Sequence, residues 1–439
     1  MTINFNNELQ KKLNSFKLKI AVVGLGYVGL PLALLFGKKF STIGIDSSSE
    51  KINKLLKFID LNNQCKKKDF LDAKKIKFST SYKKISLCDI VIVCLPTPVN
   101  KKNKPDLSIL KYASKKIGKN IKKNTTIIYE STVFPGTVEE ICSSIIEKNS
   151  KLAWKKDFFL GYSPERVNPN DSTHTIENIS KIVASDNIKL TSILAKLYKT
   201  IIVKKVIKVN NIKIAETAKV IENTQRDINI ALMNELSIIC QKLGINTKEV
   251  IEAAGTKWNF IKFFPGLVGG HCIGVDPFYL KSKSIELGYY PKIISSGRKL
   301  NDSMTGYLAK IIEKSFKKSD KILFIGLTFK ENCNDIRNSK NIELVQTIKL
   351  KKKFNIDVFD PLITKKDLLS IKDITINFKN IRNLSNEYDG IVLLVPHNTI
   401  LDKIDFYLNK IKDDGFFFDI KSMVKNSVKK KYNIKSWSL

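Results

Sequence analysis

The chain has 439 residues, 43% of them hydrophobic and 9% aromatic, which excludes a disordered polymer and exceeds one ordinary core, so two or three domains are expected. Its formal net charge is +34, yet only five of the 76 cationic residues are Arg (166, 226, 298, 337 and 382), and the lysines run along the whole chain among many Asn and Ile. Nucleic-acid readout favours the planar Arg fork, so the charge reads as compositional drift over solvated faces and no nucleic-acid partner is expected. The first 17 residues are polar and charged, unlike a signal peptide, and no apolar run reaches the roughly 18 residues of a membrane span. A cytoplasmic protein with no membrane partner is expected. The seven cysteines are scattered and contain no CxxC pair, so neither a metal site nor a disulfide framework is supported.

In chain order, 18–23 is an apolar, β-branched strand that runs into Gly24-Leu25-Gly26-Tyr27-Val28-Gly29, and Leu30 to Phe36 begins a buried helix. Gly24 allows the tight turn, Gly26 lets backbone approach a pyrophosphate, and Gly29 lets helix pack on strand, with the helix N-terminus facing the negative charge. A second strand, 41–46, ends in Asp46, where a carboxylate can accept hydrogen bonds from a ribose and repel a 2′-phosphate. This points to NAD, with Lys51 close by. Further strands at 89–95 and 125–130, alternating with lysine-rich helical segments, predict a parallel doubly wound sheet. Thr97 and Thr132 follow two of these strands, at the ends that line a ligand crevice, although Ser and Thr also cap ordinary turns.

Tyr162-Ser163-Pro164-Glu165-Arg166-Val167-Asn168-Pro169 is a polar loop. Read alone, Glu165 and Arg166 are a surface ion pair; in a cleft, Glu165 is a base for water. From 211 to 243 apolar residues recur at helical spacing without Pro, predicting one long helix. A dimer spine and a plain core helix both fit it. Lys219 and Asn223 share a face of that helix, near Glu216 and Glu222, and such a pair can stabilise an oxyanion and orient a hydroxyl.

Gly269-Gly270-His271-Cys272-Ile273-Gly274-Val275-Asp276-Pro277 sets a cysteine in a glycine-rich polar loop with a carboxylate four residues on. A packing cysteine normally sits in an apolar element, whereas these glycines suggest backbone held close to a substrate. A nucleotide cofactor that takes hydride, with a thiol that can hold a carbonyl carbon, suggests oxidation of an alcohol past the aldehyde. Beyond 319 the α/β rhythm returns, with strands at 321–327, 356–361, 390–395 and 416–420 and a helix at 342–350. Gly326 to Glu331 ends the first of these strands, and Asp335 to Ser339 is read as opening the next helix, a second anion site of the same kind. The expected fold class is therefore α/β, two Rossmann-like doubly wound parallel-sheet domains joined by a long central helix. The domains are 1–208 (NAD-binding), 209–318 (helical, with the cysteine loop) and 319–439 (a second nucleotide-binding α/β domain).

Together these residues resemble the UDP-glucose/GDP-mannose dehydrogenase family of nucleotide-sugar 6-dehydrogenases. Ser163 to Pro169, Lys257-Trp258-Asn259-Phe260 and the cysteine loop look most like the branch that oxidises UDP-N-acetylglucosamine or UDP-N-acetylgalactosamine. The resemblance implies four-electron oxidation of the sugar C6 alcohol to a carboxylate with two NAD in turn, for surface polysaccharide precursors. By this resemblance Cys272 is the nucleophile, forming a thiohemiacetal and then a thioester. Lys219 and Asn223 stabilise and orient the C6 oxygen, Asp276 is an acid–base or water-positioning group, Glu165 serves hydrolysis, and Thr132 binds water. Gly24, Gly26, Tyr27, Val28, Gly29, Asp46, Lys51, Thr97, Thr132 and Arg337 are the implied cofactor contacts. Glu165, Arg166, Lys219, Asn223, Lys257, Gly269 and Lys330 are the implied substrate contacts. A homodimer through the long helix, with substrate between the α/β domains, is also implied. Pro169 stands where UDP-glucose enzymes commonly carry a second glutamate, which points away from UDP-glucose. The Lys51 position often carries arginine.

Overall fold

The computed structural model describes residues 2–62, 64–100, 102–166, 175–270, 272–351, 353–369 and 377–439. The chain divides into two compact units, Met1–Glu222 with Phe278–Tyr289, and Asn223–Pro277 with Tyr290–Leu439. The division falls inside one continuous helix, Ile212–Leu243, the long helix expected from the spacing.

The first unit carries eight strands: β1 (Lys19–Val23), β2 (Ser41–Ile45), β3 (Ile76–Ser79), β4 (Ile90–Val93), β5 (Thr125–Tyr129), β6 (Phe158–Tyr162), β7 (Lys181–Ser185) and β8 (Val206–Lys208). Their order is β3-β2-β1-β4-β5-β6-β7-β8. Strands β4, β5 and β6 are buried along their whole length, as a sheet covered by helices on both faces requires. The sheet is not wholly parallel, because β7 runs antiparallel to β6. The polar N-terminus also forms an element: in helix Thr2–Asn14, Phe5, Leu9 and Leu13 are buried, four residues apart, and Phe5 stacks on Phe159 with ring centroids 4.3 Å apart.

The second unit carries β9 (Lys321–Ile325), β10 (Asn355–Phe359), β11 (Asn377–Phe378), β12 (Tyr388–Leu393), β13 (Ile411–Asp419) and β14 (Lys435–Trp437). Their order is β11-β10-β9-β12-β13-β14, every pairing being parallel. Ile322, Phe324, Val392 and Phe418 form its core with Leu344, Val345 and Ile348 of helix Lys340–Lys349. Both sheets reverse direction of growth at one point, between β1 and β4 and between β9 and β12, and ligand crevices open at the carboxyl ends of strands there. Among the described residues no helix is long and apolar enough to cross a membrane, and no cluster of His, Cys, Asp or Glu could hold a metal ion.

Candidate active site

In the first unit, Gly24 leaves β1 with φ +92°, and its Cα lies so close to the end of β4 that a Cβ would sit 2.6 Å from the Cys94 carbonyl oxygen. Only glycine fits there. A Cβ on Gly29 would lie 1.8 Å from the Gly24 carbonyl oxygen, so helix Gly29–Gly37 closes directly onto the turn. At Gly26 a Cβ would meet none of the described residues within 4 Å. The turn is tight where it packs on itself and open where a pyrophosphate would lie. Val28 caps the helix without a side-chain hydrogen bond, and no acidic residue stands in the first turn, so the positive helix end is left for an anion. Tyr27 and Val28 belong to this turn and are half-buried.

Asp46 follows β2. Its Oδ2 accepts from the Leu25 N–H (3.0 Å) and the Lys51 ammonium (2.8 Å), and its Oδ1 accepts from the Ser48 N–H (3.1 Å). Burial works against the charge, but Lys51 and these N–H groups outweigh it and hold the carboxyl below its ordinary range. An ionised carboxylate braced at the end of β2 suits a ribose diol. These residues fit a dinucleotide.

Thr97 and Thr132 do meet: the Thr97 hydroxyl donates to the Thr132 carbonyl oxygen (2.6 Å), and the Tyr279 hydroxyl donates to the Thr97 carbonyl oxygen (2.6 Å). Glu165 and Arg166 part company. The Arg166 guanidinium goes to Glu222 (2.6 and 2.8 Å), while Glu165 takes the Arg166 backbone N–H on Oε1 (2.6 Å) and places Oε2 3.5 Å from the Lys181 ammonium. The surface pair expected between the neighbours is replaced because Glu222 takes the guanidinium and Lys181 stands against Glu165. Pro169, noted for the missing glutamate, lies outside the described residues, as does His271.

The long helix buries Lys219 and Asn223, with 7% and 5% exposure. In the first unit, Lys219 Nζ is 3.6 Å from Glu222, and Glu216 accepts the Gly136 and Val138 N–H groups (2.6 and 3.0 Å). In the second unit, the Asn223 side-chain amide donates to Asp276 Oδ2 (2.6 Å). Asp276 opens helix Asp276–Glu286, and its N–H donates to the Cys272 carbonyl oxygen (2.8 Å). The Val275 N–H reaches the same Cys272 oxygen (3.0 Å), so 272–276 is one turn that brings Cys272 and the first residue of the helix together. Cys272 is half-buried and Asp276 fully buried.

The loop before Cys272 is clipped twice within the second unit. Asn234 of the long helix both donates to the Gly266 carbonyl oxygen (3.1 Å) and accepts from its N–H (2.8 Å). Asn338 accepts the Gly270 N–H on its own carbonyl (3.2 Å), and a Cβ on Gly269 would lie 2.6 Å from that oxygen. Gly270 has φ +82° and lies against the Phe329 ring. Lys330 follows, with its ammonium 5.6 Å from the Phe329 ring centroid. Asp335 to Asn338 form a loop rather than opening the helix: Ser339 is the N-cap, its hydroxyl accepting the Ile342 N–H and donating to the Leu327 carbonyl oxygen (2.6 Å). Arg337 folds onto Asp335, with Nε 3.0 Å from both carboxylate oxygens. Lys257 lies on the exposed turn after helix Thr247–Ala254. His397 and Lys181, both buried, escaped the sequence reading. His397 follows β12 at a strand end, a position that the strand-end argument covers; Lys181 carries no mark among so many lysines.

Three family models match in succession: the NAD binding domain of the UDP-glucose/GDP-mannose dehydrogenase family over 18–202, its central domain over 213–303, and its UDP binding domain over 323–426. The chain belongs to the UDP-glucose/GDP-mannose dehydrogenase family. Protein CapL of Staphylococcus aureus is 43% identical over 427 residues, 96% of this chain and 99% of that protein. A UDP-N-acetyl-D-glucosamine 6-dehydrogenase of Pseudomonas aeruginosa is 43% identical over 415 residues, 93% of this chain and 97% of that protein. Among solved structures, a UDP-D-ManNAc dehydrogenase from Pyrococcus horikoshii matches with TM-score 0.84 and 26% identity, covering 95% of this chain and 99% of that one. As a member of this family, the protein is an NAD-dependent UDP-sugar dehydrogenase, with NAD as its cofactor.

Proposed function

We propose that this dehydrogenase oxidises the C6 hydroxyl of a UDP-N-acetylhexosamine, UDP-GlcNAc or UDP-GalNAc, to the uronic acid through covalent attachment to Cys272. The observation that carries the reading is the turn 272–276, which sets the half-buried Cys272 one turn ahead of Asp276, a buried carboxylate already paired with Asn223. The identity shared with the Pseudomonas enzyme supports the N-acetylglucosamine branch.

Bound NAD supplies the hydride acceptor for each of the two oxidations. In this reading Lys219 and Asn223 hold the C6 oxygen and offset its negative charge. The Cys272 thiolate adds to the aldehyde carbon, giving a thiohemiacetal, and the second oxidation leaves a thioester. Thr132 positions a water, Glu165 accepts its proton as it attacks the thioester carbonyl, and the thiolate leaves with the C–S bonding pair. Asp276 manages the proton exchanged at Cys272 and the C6 oxygen. Lys330, Lys257, Arg166 and the Gly269 backbone contact the substrate, and Arg337 contacts the cofactor. We also place the enzyme in the cytoplasm as a homodimer through the long helix, supplying an activated uronic acid for surface polysaccharide.

A panel of UDP-glucose, UDP-GlcNAc, UDP-GalNAc and UDP-ManNAc, read by NADH absorbance, tests the assignment. The best substrate is expected to be an N-acetylhexosamine and to yield two NADH per sugar. Cys272→Ser is expected to lose carboxylate formation by about 10³-fold or more. One NADH per sugar, or a Cys272→Ser enzyme that still makes two at the normal rate, overturns the thiol route. A preference for UDP-ManNAc moves the substrate to that of the Pyrococcus protein and leaves the chemistry standing.

A further inference from the structure

Lys181 opens β7 with 4% exposure, an unusual place for an ammonium, because a buried charge persists only when paired. Its Nζ lies 2.8 Å from Glu130 Oε2, 3.4 Å from the Pro164 carbonyl oxygen and 3.5 Å from Glu165 Oε2. It also stands 5.1 Å from the centroid of the Tyr198 ring, and the Tyr198 hydroxyl donates to Glu130 Oε1 (2.5 Å). One ammonium is therefore shared by two carboxylates of unequal exposure. The Glu130 side chain is wholly enclosed, with both oxygens engaged, whereas the Glu165 side chain retains 12% exposure. Glu130 directly follows β5 and leads into Ser131 and Thr132, so the same ion pair ties the two segments that carry the proposed hydrolytic groups.

A purely structural pair needs one carboxylate for one ammonium. Here the same ammonium meets a second carboxylate, and Glu165, the more open of the two, is the one that can exchange a proton with water. Burial opposes the Lys181 charge, but Glu130 and Glu165 outweigh it and raise its pKa; burial raises that of Glu130, with Lys181 pulling it back. Among the described residues, Cys94 at the end of β4 and Tyr198 of helix Ile188–Lys199 also belong to this cluster, both pushed well up by burial. Arg166 and, from the long helix, Lys219 are engaged with Glu222.

We propose that Lys181, anchored by Glu130, is a positioning residue that orients Glu165 and sets its basicity for attack of water on the thioester. The inference rests on the reading that Glu165 serves hydrolysis. Removing the cation and removing the anchor must then act in opposite directions. For Lys181→Met, the acid limb of the kcat–pH profile with UDP-GlcNAc, or whichever UDP-hexosamine the panel selects, is expected to rise by about one pH unit. Its kcat at neutral pH is expected to fall about 10-fold, with KM for sugar nucleotide and NAD within about twofold and a burst of NADH before the slow phase, because the acyl-enzyme accumulates. Lys181→Arg is expected to restore most of the loss. Glu130→Gln, which leaves Lys181 to Glu165, is expected to lower the acid limb. If Lys181→Met does not accumulate as folded protein, Glu130→Gln decides. An acid limb that stays in place, or moves up, in Glu130→Gln overturns the proposal. Glu165→Gln separates the two readings. Wild-type turnover in that variant removes the role of Glu165 itself. A hydrolytic defect in Glu165→Gln, with the limb unmoved in Lys181→Met and Glu130→Gln, removes only the role of Lys181.

Discussion

The two sheets are built on one plan and end in different turns. Each leaves its first strand through a left-handed glycine, Gly24 (φ +92°) or Gly326 (φ +87°), whose Cβ would lie 2.6 Å from a carbonyl oxygen at the end of the fourth strand, that of Cys94 or Val395. Each then fixes the N–H of the following leucine on an aspartate at the end of the second strand: Leu25 on Asp46 (3.0 Å) and Leu327 on Asp360 (2.6 Å). After that they diverge. The first turn closes at once into a helix whose N-terminus is left to an anion. The second wanders from Thr328 to Ser339, and Ser339 caps its own helix. Asp360 is also taken up internally: the buried His397 accepts the Asn332 N–H on Nδ1 (2.9 Å), which leaves the proton on Nε2, 3.3 Å from Asp360 Oδ2 and 3.2 Å from the Thr328 hydroxyl. Strand order thus makes the crevice, and the turn decides what enters it: a dinucleotide where glycines expose the helix end, a uridine nucleotide where a long loop stands instead.

Substitutions at matching positions can break this comparison. The largest effect is expected from Gly29→Ala, which has no counterpart in the second sheet. Its methyl would overlap the Gly24 carbonyl oxygen, at 1.8 Å, costing about 3 kcal/mol or more and all detectable NAD binding. Urea unfolding and NAD titration calorimetry check both. Gly24→Ala and Gly326→Ala should lose similar stability, about 2–3 kcal/mol each, but the first should lose NAD and the second UDP. If both lose the same ligand, the assignment of the two turns is wrong. Smaller and more selective effects come from the aspartate sites. Asp46→Asn should raise KM for NAD about 10-fold and leave that for the UDP-sugar alone, since the bond to the ribose loses its charge. His397→Ala should do the reverse by releasing the loop from 327 to 332. Gly26→Ala should leave stability within about 0.5 kcal/mol while weakening NAD, because a methyl there meets only the space the cofactor would fill. The smallest effect concerns Glu216, whose pKa burial pushes up to about 8. A raised carboxyl pKa means that the native protein keeps a proton the unfolded chain releases, so its contribution is complete below the ordinary glutamate range and is lost as pH rises to about 8. Glu216→Ala should flatten the fall of denaturation midpoint with pH across that interval.

Lys19–Val23, Ile90–Val93, Thr125–Tyr129 and Lys321–Ile325 were legible in the sequence as nearly unbroken apolar runs, whereas Phe158–Tyr162 and Lys181–Ser185, buried along their whole length, were not, because glycine, serine and lysine interrupt their runs. The glycine turn, Asp46 and the Cys272–Asp276 turn were legible because their chemistry is carried by residue type and short spacing. Edge and short strands such as Val206–Lys208, Asn377–Phe378 and Lys435–Trp437 were not, because partly exposed edges tolerate polar residues and leave no period to read. Helix Thr2–Asn14 was hidden for a related reason: three apolar residues in a charged segment become a packing face only once β6 supplies Phe159.

By itself the sequence determined the two nucleotide-binding α/β halves, the long helix, the cofactor and the cysteine loop, all of which rest on local patterns. Only the tertiary structure decided the partners of the charges. It moved Arg166 from Glu165 to Glu222, set Lys181 between Glu130 and Glu165, and put His397 against Asp360. Coulomb and hydrogen-bond energies depend on distance and burial, and in a chain with seventy-one lysines neither can be read from composition or spacing.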